Sequence, residues 1–234
     1  MEKALALNPP EWRRTGAAGL KGFGLLYLGD EFCEQLLPAA DDLKRAERLF
    51  SGRTVLVTPL LSDDAIDRTE RLLRAFSSAK KRLEVVVNDL GLLHLLRARY
   101  AARVSVTLGR VFAHRLKVMP PSFAAGFLKD HGVARVELDD PALPERFARF
   151  EGLKLSFHSP FRYLSATRFC PWERHWPGPC AASCLGKMTR ITHPRLPKPL
   201  LLRGAAYGIR TRGIPAHPLI DRVVVERLPA RCGK

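Results

Sequence analysis

No stretch of the sequence is apolar for long enough to cross a bilayer; runs such as 24–28 fall far short of the roughly 20 residues a transmembrane helix needs. The first residues, Met-Glu-Lys-Ala-Leu-Ala-Leu followed by Pro9, Pro10 and Glu11, lack the apolar core and cleavage site of a secretory signal. These absences predict a cytoplasmic protein with no transmembrane segment, whose thiols stay reduced. Gly and Pro are frequent but dispersed, so no stretch reads as disordered. Nucleophile elbows, His-x-Glu pairs, Walker loops and Gly-x-Gly-x-x-Gly patterns are missing, and neither Ser165 nor Ser183 has a compelling His and Asp partner. Nothing therefore argues for a hydrolase. Acidic residues are scarce as well: 23 Asp and Glu stand against 39 Lys and Arg, for a net charge of +16. Such an excess suits RNA, an anionic membrane surface or an acidic partner protein. The densest basic regions are 80–82, 97–103 and 188–212. No basic stripe is interleaved with aromatics, and an arginine-rich solvated surface explains the charge equally well.

What the chain does have is enough apolar residues, 46% of 234, to bury one sizeable core. Short apolar, β-branched runs at 24–28, 54–58, 84–88, 104–108, 134–138 and 154–158 alternate with amphipathic stretches at 41–50, 63–78, 90–100, 122–130 and 144–150. In the second of these stretches Ser62 and Asp63 stand where caps belong, and Ile66, Leu72, Leu73 and Phe76 recur at helical spacing. Strand then helix, five times over, predicts a parallel sheet with helices outside. Two further strand candidates, 200–203 and 222–226, bring the count to the eight that close a barrel. The expected fold is α/β, a TIM-barrel-like (β/α) barrel in one domain over 1–234. It carries an N-terminal extension at 1–20, an irregular Cys-rich final third and a flexible tail at 229–234. An open doubly wound sheet is the alternative. In either, the loops after the strands carry the chemistry, which puts Asp30, Asn88, Asp89, Gly109, Arg110, Asp139 and His158 on the site face.

Five cysteines are present, and three sit in one segment, Cys170-x9-Cys180-x3-Cys184. Cys33 follows the first predicted strand, on the same face as that segment, so barrel closure can bring the four together. Cys232 lies two residues from the end. Four thiolates from two loops suit a four-iron cluster or a structural zinc. The absence of paired Cys-x2-Cys knuckles, and one remote cysteine joined to a loose triplet, favour the larger metal body. The odd count and the missing signal disfavour disulfides. Unrelated free thiols are the third reading, although Pro171, Pro177, Gly178 and Pro179 place the triplet outside any core strand.

Several segments together resemble one known family. They are Gly24-Leu-Leu-Tyr-Leu-Gly-Asp-Glu-Phe-Cys33, Val86-Val-Asn-Asp-Leu-Gly91, Leu108-Gly-Arg110 and Ser165-Ala-Thr-Arg-Phe-Cys170 with its two following cysteines. In this order they resemble the collagenase-like (unassigned) peptidase family and, within it, the UbiV-like branch of oxygen-independent hydroxylation proteins. The resemblance implies a TIM-barrel-like fold and a 4Fe-4S cluster on Cys33, Cys170, Cys180 and Cys184. It implies hydroxylation of an aromatic such as a ubiquinone precursor, with prephenate as oxygen donor and a UbiU-like partner in a heterodimer. Related members hydroxylate bases in tRNA and ribosomal RNA, so an RNA-binding or RNA-modifying protein is the alternative. Despite the family's name, peptidase activity is not expected.

Against that background four residues are candidate substrate contacts. Asn88 and Asp89 could bond a polar substrate or a cluster sulfur, or cap the helix that follows. Arg110 presents a fork suited to a carboxylate such as that of prephenate, unless it is simply solvated. His158, at the end of the sixth predicted strand, could donate in the pocket or satisfy its own loop. Trp172 and Trp176 flank the cysteine loop, where they could shield a cluster, contact a partner or fill core. Arg203 and Tyr207 are further possible contacts.

Overall fold

Strand and helix largely alternate from Glu2 to Ser159 in the computed structural model, which describes residues 1–176, 178–211 and 213–229. β1 (Glu2–Leu7) leads into α1 (Pro9–Arg14), whose start is set locally. Asn8 accepts from the Glu11 N–H at 3.0 Å and Glu11 accepts from the Asn8 N–H at 3.1 Å, while Pro9 and Pro10 fill the first turn, where no N–H is needed. There follow β2 (Leu25–Gly29), α2 (Ala40–Leu49), β3 (Arg53–Val57), α3 (Asp63–Phe76), β4 (Leu83–Val87), α4 (Leu90–Arg99) and β5 (Val104–Leu108). Next come α5 (Arg110–Leu116), α6 (Pro121–Asp130), β6 (Val133–Leu138), α7 (Pro144–Phe147) and β7 (Lys154–Ser159). The last elements are β8 (Phe161–Ala166), β9 (Thr189–Ile191), β10 (Leu200–Arg203), β11 (Ala206–Arg210) and β12 (Ile220–Glu226).

Eight of these strands close a parallel barrel in the order β1-β12-β7-β6-β5-β4-β3-β2. The α/β barrel expected from the sequence is therefore present, with two of its strands differently assigned. Glu2–Leu7, expected to lie in an N-terminal extension, is a barrel strand, paired on one side with β12 and on the other with β2. Residues 200–203, expected to be the seventh barrel strand, instead belong to a separate antiparallel sheet, β8-β11-β10-β9. Both outcomes depend on distant pairing partners, which local pattern does not encode. α5 was not anticipated. Cys232 and the expected tail from 230 onward lie outside the described residues.

Outward-facing strand residues and the helices share one core, in which Leu28, Leu56, Val85, Leu108 and Phe157 meet Leu73, Leu93, Leu96 and Phe147. Each fully buried side chain of this size contributes about 1.5–3 kcal/mol. In α3 the predicted stripe is kept: Leu72 and Leu73 are buried, with Ile66 and Phe76 packed against them. Ser62 takes the N-cap position but its side chain makes no cap bond. Inside the barrel, Ala4, Leu25, Tyr27, Val55, Val57, Val86 and Val224 form a second apolar cluster. It fills one side. The other side is polar: Glu84, Arg135, Glu137, Ser156, His158, Arg222 and Glu226 occupy inward positions of β4, β6, β7 and β12. At the N-terminal end Arg222 is held by Glu84 at 2.5 Å, by the Tyr27 hydroxyl at 2.7 Å and by Glu2 at 3.0 Å. The antiparallel sheet covers the C-terminal end, where Phe161, Tyr163 and Ala206 pack on Phe32 and Val111. Among the described residues no helix is long and apolar enough to cross a membrane.

Candidate functional site

The strands deliver their inward side chains to the C-terminal mouth in alternate positions, so Glu137 and Asp139 of the β6 segment, His158 of β7 and Glu226 of β12 converge there. Arg110, at the first turn of α5, joins them from the side. It is 3% exposed. Its Nε donates to Glu31 at 2.7 Å, and its Nη1 lies 2.7 Å from Glu226 and 3.3 Å from Asp139. Burial disfavours the Arg110 charge, but these three carboxylates outweigh burial and raise its pKa. His158, equally buried, sits between Glu137 (Nε2, 2.8 Å) and Glu226 (Nδ1, 3.0 Å). Burial and Arg110 push its pKa down, yet the bonds to Glu137 and Glu226, helped by Glu31, prevail and hold it at about 9. Glu226 also accepts from Arg203. Burial alone would raise its pKa, but Arg110, Arg203 and His158 hold it well below the usual carboxylate range. Asp139 behaves oppositely: burial outweighs Arg110 and pushes it up to about 6.

A narrow cavity at this mouth is lined by Tyr27, Arg110, His158, Arg203 and Glu226 and roofed by Cys184, Leu185 and Lys187. It leaves about 60 Å³ of open space, room for a few water-sized groups. A larger cavity of about 280 Å³ lies beside it, between the loop after β2 and the antiparallel sheet. Cys33, Cys170, Cys180 and Cys184 all line it, together with Phe32, Tyr163 and Trp172.

Local bonding sets the two segments that carry the cysteines. After β2, Asp30 accepts from the N–H groups of Phe32 (2.8 Å) and Cys33 (2.9 Å), which turns Cys33 toward the sheet. Glu173 ties the loop that carries the other three. Its carboxylate accepts from the N–H groups of Ser183 (2.9 Å) and Ala181 (3.1 Å) and contacts His175 at 3.2 Å. These bonds, led by that of Ser183, hold its pKa down at about 2. Backbone N–H groups also point at sulfur: Glu173 to Cys170 at 3.4 Å and Ala182 to Cys180 at 3.3 Å. To make these bonds Arg174 and Ala182 adopt positive φ of 56° and 58°, a conformation that is costly for residues with a Cβ. Trp172 anchors the loop to the sheet, its indole N–H donating to the Gly204 carbonyl at 2.8 Å.

The four thiols sense one another. Burial, then Asp30, then Cys184 and Cys180 push Cys33 up to about 12, and burial, Asp30, Cys180 and Cys170 push Cys184 up to about 11. Bound cations reverse such shifts, because they compensate the thiolate charge. Among the described residues no three His, Cys, Asp or Glu side chains close on one point as a single metal ion requires. A lone zinc would draw its four sulfurs to within about 4 Å of one another, given a Zn–S bond of about 2.3 Å. A four-iron cluster takes its thiolates on a wider body. The four cysteines offer an all-sulfur donor set around one cavity, chemistry that suits an iron–sulfur cluster or a zinc ion once the thiols are drawn together.

The remaining predicted residues fall elsewhere. Asp89 caps α4, accepting from the Leu92 N–H at 2.9 Å. Asn88 staples three loops: it donates to Glu31 (3.2 Å) and to the Thr58 carbonyl (2.9 Å), and accepts from the Val111 N–H (3.1 Å). Neither lines either cavity. Arg110 and His158 line the mouth cavity, with Arg110 engaged by carboxylates rather than solvated. Sequence reasoning missed Glu31, Glu137, Glu226 and Glu173. One signal for the last was available: Glu173 is the sole acidic residue between Glu151 and Asp221, and it falls between two of the cysteines. The chain matches no protein-family model and no curated protein.

Proposed function

We propose that the protein holds a 4Fe-4S cluster on Cys33, Cys170, Cys180 and Cys184 and takes part in oxygen-independent hydroxylation of an aromatic substrate of the ubiquinone-precursor type, as the UbiV-like resemblance implies. The observation that carries this reading is that four thiols from two segments over a hundred residues apart in sequence line one cavity. On this reading the Cys-rich segment 169–186 of the irregular final third brings the cluster to the barrel, prephenate is the oxygen donor, a UbiU-like protein is the partner and the cytoplasm is the location. The cluster would supply electron transfer. The chain's own residues do the rest: Glu173 and Asp30 set the cysteine loops, Phe32, Tyr163 and Trp172 exclude water, and Arg110 with His158 fixes the mouth carboxylates. Anaerobically purified protein is expected to be brown, to contain iron and sulfide, and to lose both colour and iron in Cys180→Ala. Stoichiometric zinc with neither iron nor sulfide would sink the proposal.

A second reading, RNA binding or RNA-base modification, is favoured by a separate observation. Two of the basic regions that are distant in sequence meet at the N-terminal end of the barrel, where the loops after α2, α3 and α4 are neighbours. Arg53, Lys80, Lys81 and Arg82 line one cleft there with Phe50 and Phe76, beside Glu47 and Glu84, and Arg82 reaches the α4–β5 loop by donating to the Ala101 carbonyl at 3.3 Å. Such a face suits a phosphate backbone. RNA retained at low salt and released steeply as salt rises supports this reading; no retention at low salt removes it.

A further inference from the structure

Behind the cysteine cavity two buried polar atoms face each other without partners. Asp139 Oδ1 and His114 Nε2 are 4.0 Å apart, and neither has a hydrogen bond. Asp139 is 1% exposed and its other oxygen is satisfied, accepting from the Tyr163 N–H at 2.7 Å and contacting Arg110 at 3.3 Å. A buried native polar atom left unpaired costs of the order of 1–3 kcal/mol and calls for an explanation.

Charge counting points the same way. The connected network at the mouth holds four carboxylates, Glu31, Glu137, Asp139 and Glu226, against three cations, Arg110, Arg203 and protonated His158. One negative charge is in excess. A buried network with an uncompensated charge is unfavourable, and one proton neutralises it. Three of the four carboxylates have both oxygens bonded to donors, whereas Asp139 has one oxygen free.

We infer that Asp139 and His114 form a one-proton site, in which the proton resides on Asp139 Oδ1 and is donated to Nε2 of a neutral His114. The groups around the pair agree. Arg110 and Lys117 on or beside α5, and Arg162 on β8, disfavour a charged His114, with Asp140 opposing them; burial comes first and holds that imidazole down at about 4. Around Asp139 stand Arg110, the Tyr163 N–H, His158 and Glu31, and burial exceeds the help from the cations. A neutral acceptor thus faces an acid that retains its proton in mildly acidic solution. The site reaches the cysteine cavity through Tyr163. The His114 ring lies edge-on to the Tyr163 ring with centroids 4.9 Å apart, and Tyr163 stacks on Phe32 at 4.8 Å, next to Cys33. Loss or gain of this proton therefore changes the charge one layer behind the thiols.

The inference goes beyond the proposed function and does not depend on which metal the cysteines hold. It is tested by urea unfolding of the full chain and of Asp139→Asn from pH 4 to 8. Asn mimics the protonated acid, so the ratio of the variant's folding constant to the wild type's is expected to rise with pH by up to about 100-fold, the equivalent of a shift of about two pKa units, and to flatten above pH 7. A merely structural loss would offset the ratio equally at every pH. A ratio that stays constant, or that falls as pH rises because Asp139 is an ionised partner of Arg110, overturns the inference. In His114→Phe the protonated acid loses its acceptor, and the rise, measured between this variant and its Asp139→Asn double variant, moves to lower pH; an unmoved rise overturns the assignment of His114 as acceptor. Iron content, read on the same preparations, reports separately on the proposed function.

Discussion

Arg110 donates two hydrogen bonds to Glu31, one from its backbone N–H to Oε2 at 2.8 Å and one from Nε to Oε1 at 2.7 Å, and both side chains are buried. The arginine is the hub of the mouth, because Glu226 and Asp139 share it. Arg110→Met retains its length and removes its charge, which leaves three buried carboxylates short of a partner. Urea unfolding is expected to show a loss of about 3–5 kcal/mol, the usual consequence of stripping one member from a buried ion pair. A loss below about 1 kcal/mol would show that water already reaches the network.

His158 makes the stability of the fold depend on alkaline pH. Its folded pKa of about 9 lies above the roughly 6.5 of an unfolded histidine, so the stabilising proton is fully bound in both states only below that lower value. The contribution is present at and below about pH 6.5 and is lost as pH rises through 9. At about 1.4 kcal/mol per unit the loss is of the order of 3 kcal/mol. Unfolding free energies between pH 6.5 and 10 should follow that decline in the wild type and not in His158→Gln.

Glu173 organises the cysteine loop from its surface, and the barrel does not rely on it. Glu173→Ala is expected to leave the far-ultraviolet circular dichroism intact while metal retention weakens by about 10- to 100-fold, as for other outer-sphere partners. Competition with an iron chelator measures this directly. Unchanged retention would mean that the loop holds its shape through Trp172 and the backbone alone.

Gly109 has no room for a methyl group. A Cβ there would lie 2.2 Å from Asn88 Nδ2 and 2.3 Å from its Oδ1, and Asn88 cannot retreat without releasing Thr58 and Val111. Gly109→Ala is expected to destabilise by about 1–3 kcal/mol in thermal or urea unfolding.

Much of the barrel was legible because its inner six strands announce themselves by period and composition. The segment Arg135-Val136-Glu137-Leu138-Asp139 alternates polar and apolar as a strand does, although its inward Glu137 went unread as a site residue. β1 was not legible: Glu-Lys-Ala-Leu-Ala-Leu is built of helix-favouring residues, and only its two neighbours make it a strand. Residues 200–203 look like any other barrel strand, and their antiparallel pairing is settled by β9 and β11. At the candidate site the cysteines were visible by spacing, and Asp89 as a cap by its place before a helix. Arg110 was read as a solvated fork or a ligand-binding one because nothing in its own segment reveals Glu31, Asp139 and Glu226, which arrive from three other parts of the chain.

The excursion between β7 and β12 has a kinetic consequence. The strand that seals the barrel is reached only after the antiparallel sheet and the cysteine loop between β8 and β9, and it must then find β1, with Arg222 bonded to Glu2 across 220 positions of sequence. Closing so long a loop carries a large entropic barrier, and contacts of such separation slow the search for the native state. The rate at which the seam zips is thereby tied to the order of the excursion. The β1–β12 seam joins the first strand of the chain to the last, so the barrel cannot be complete until the chain has run through to Glu226.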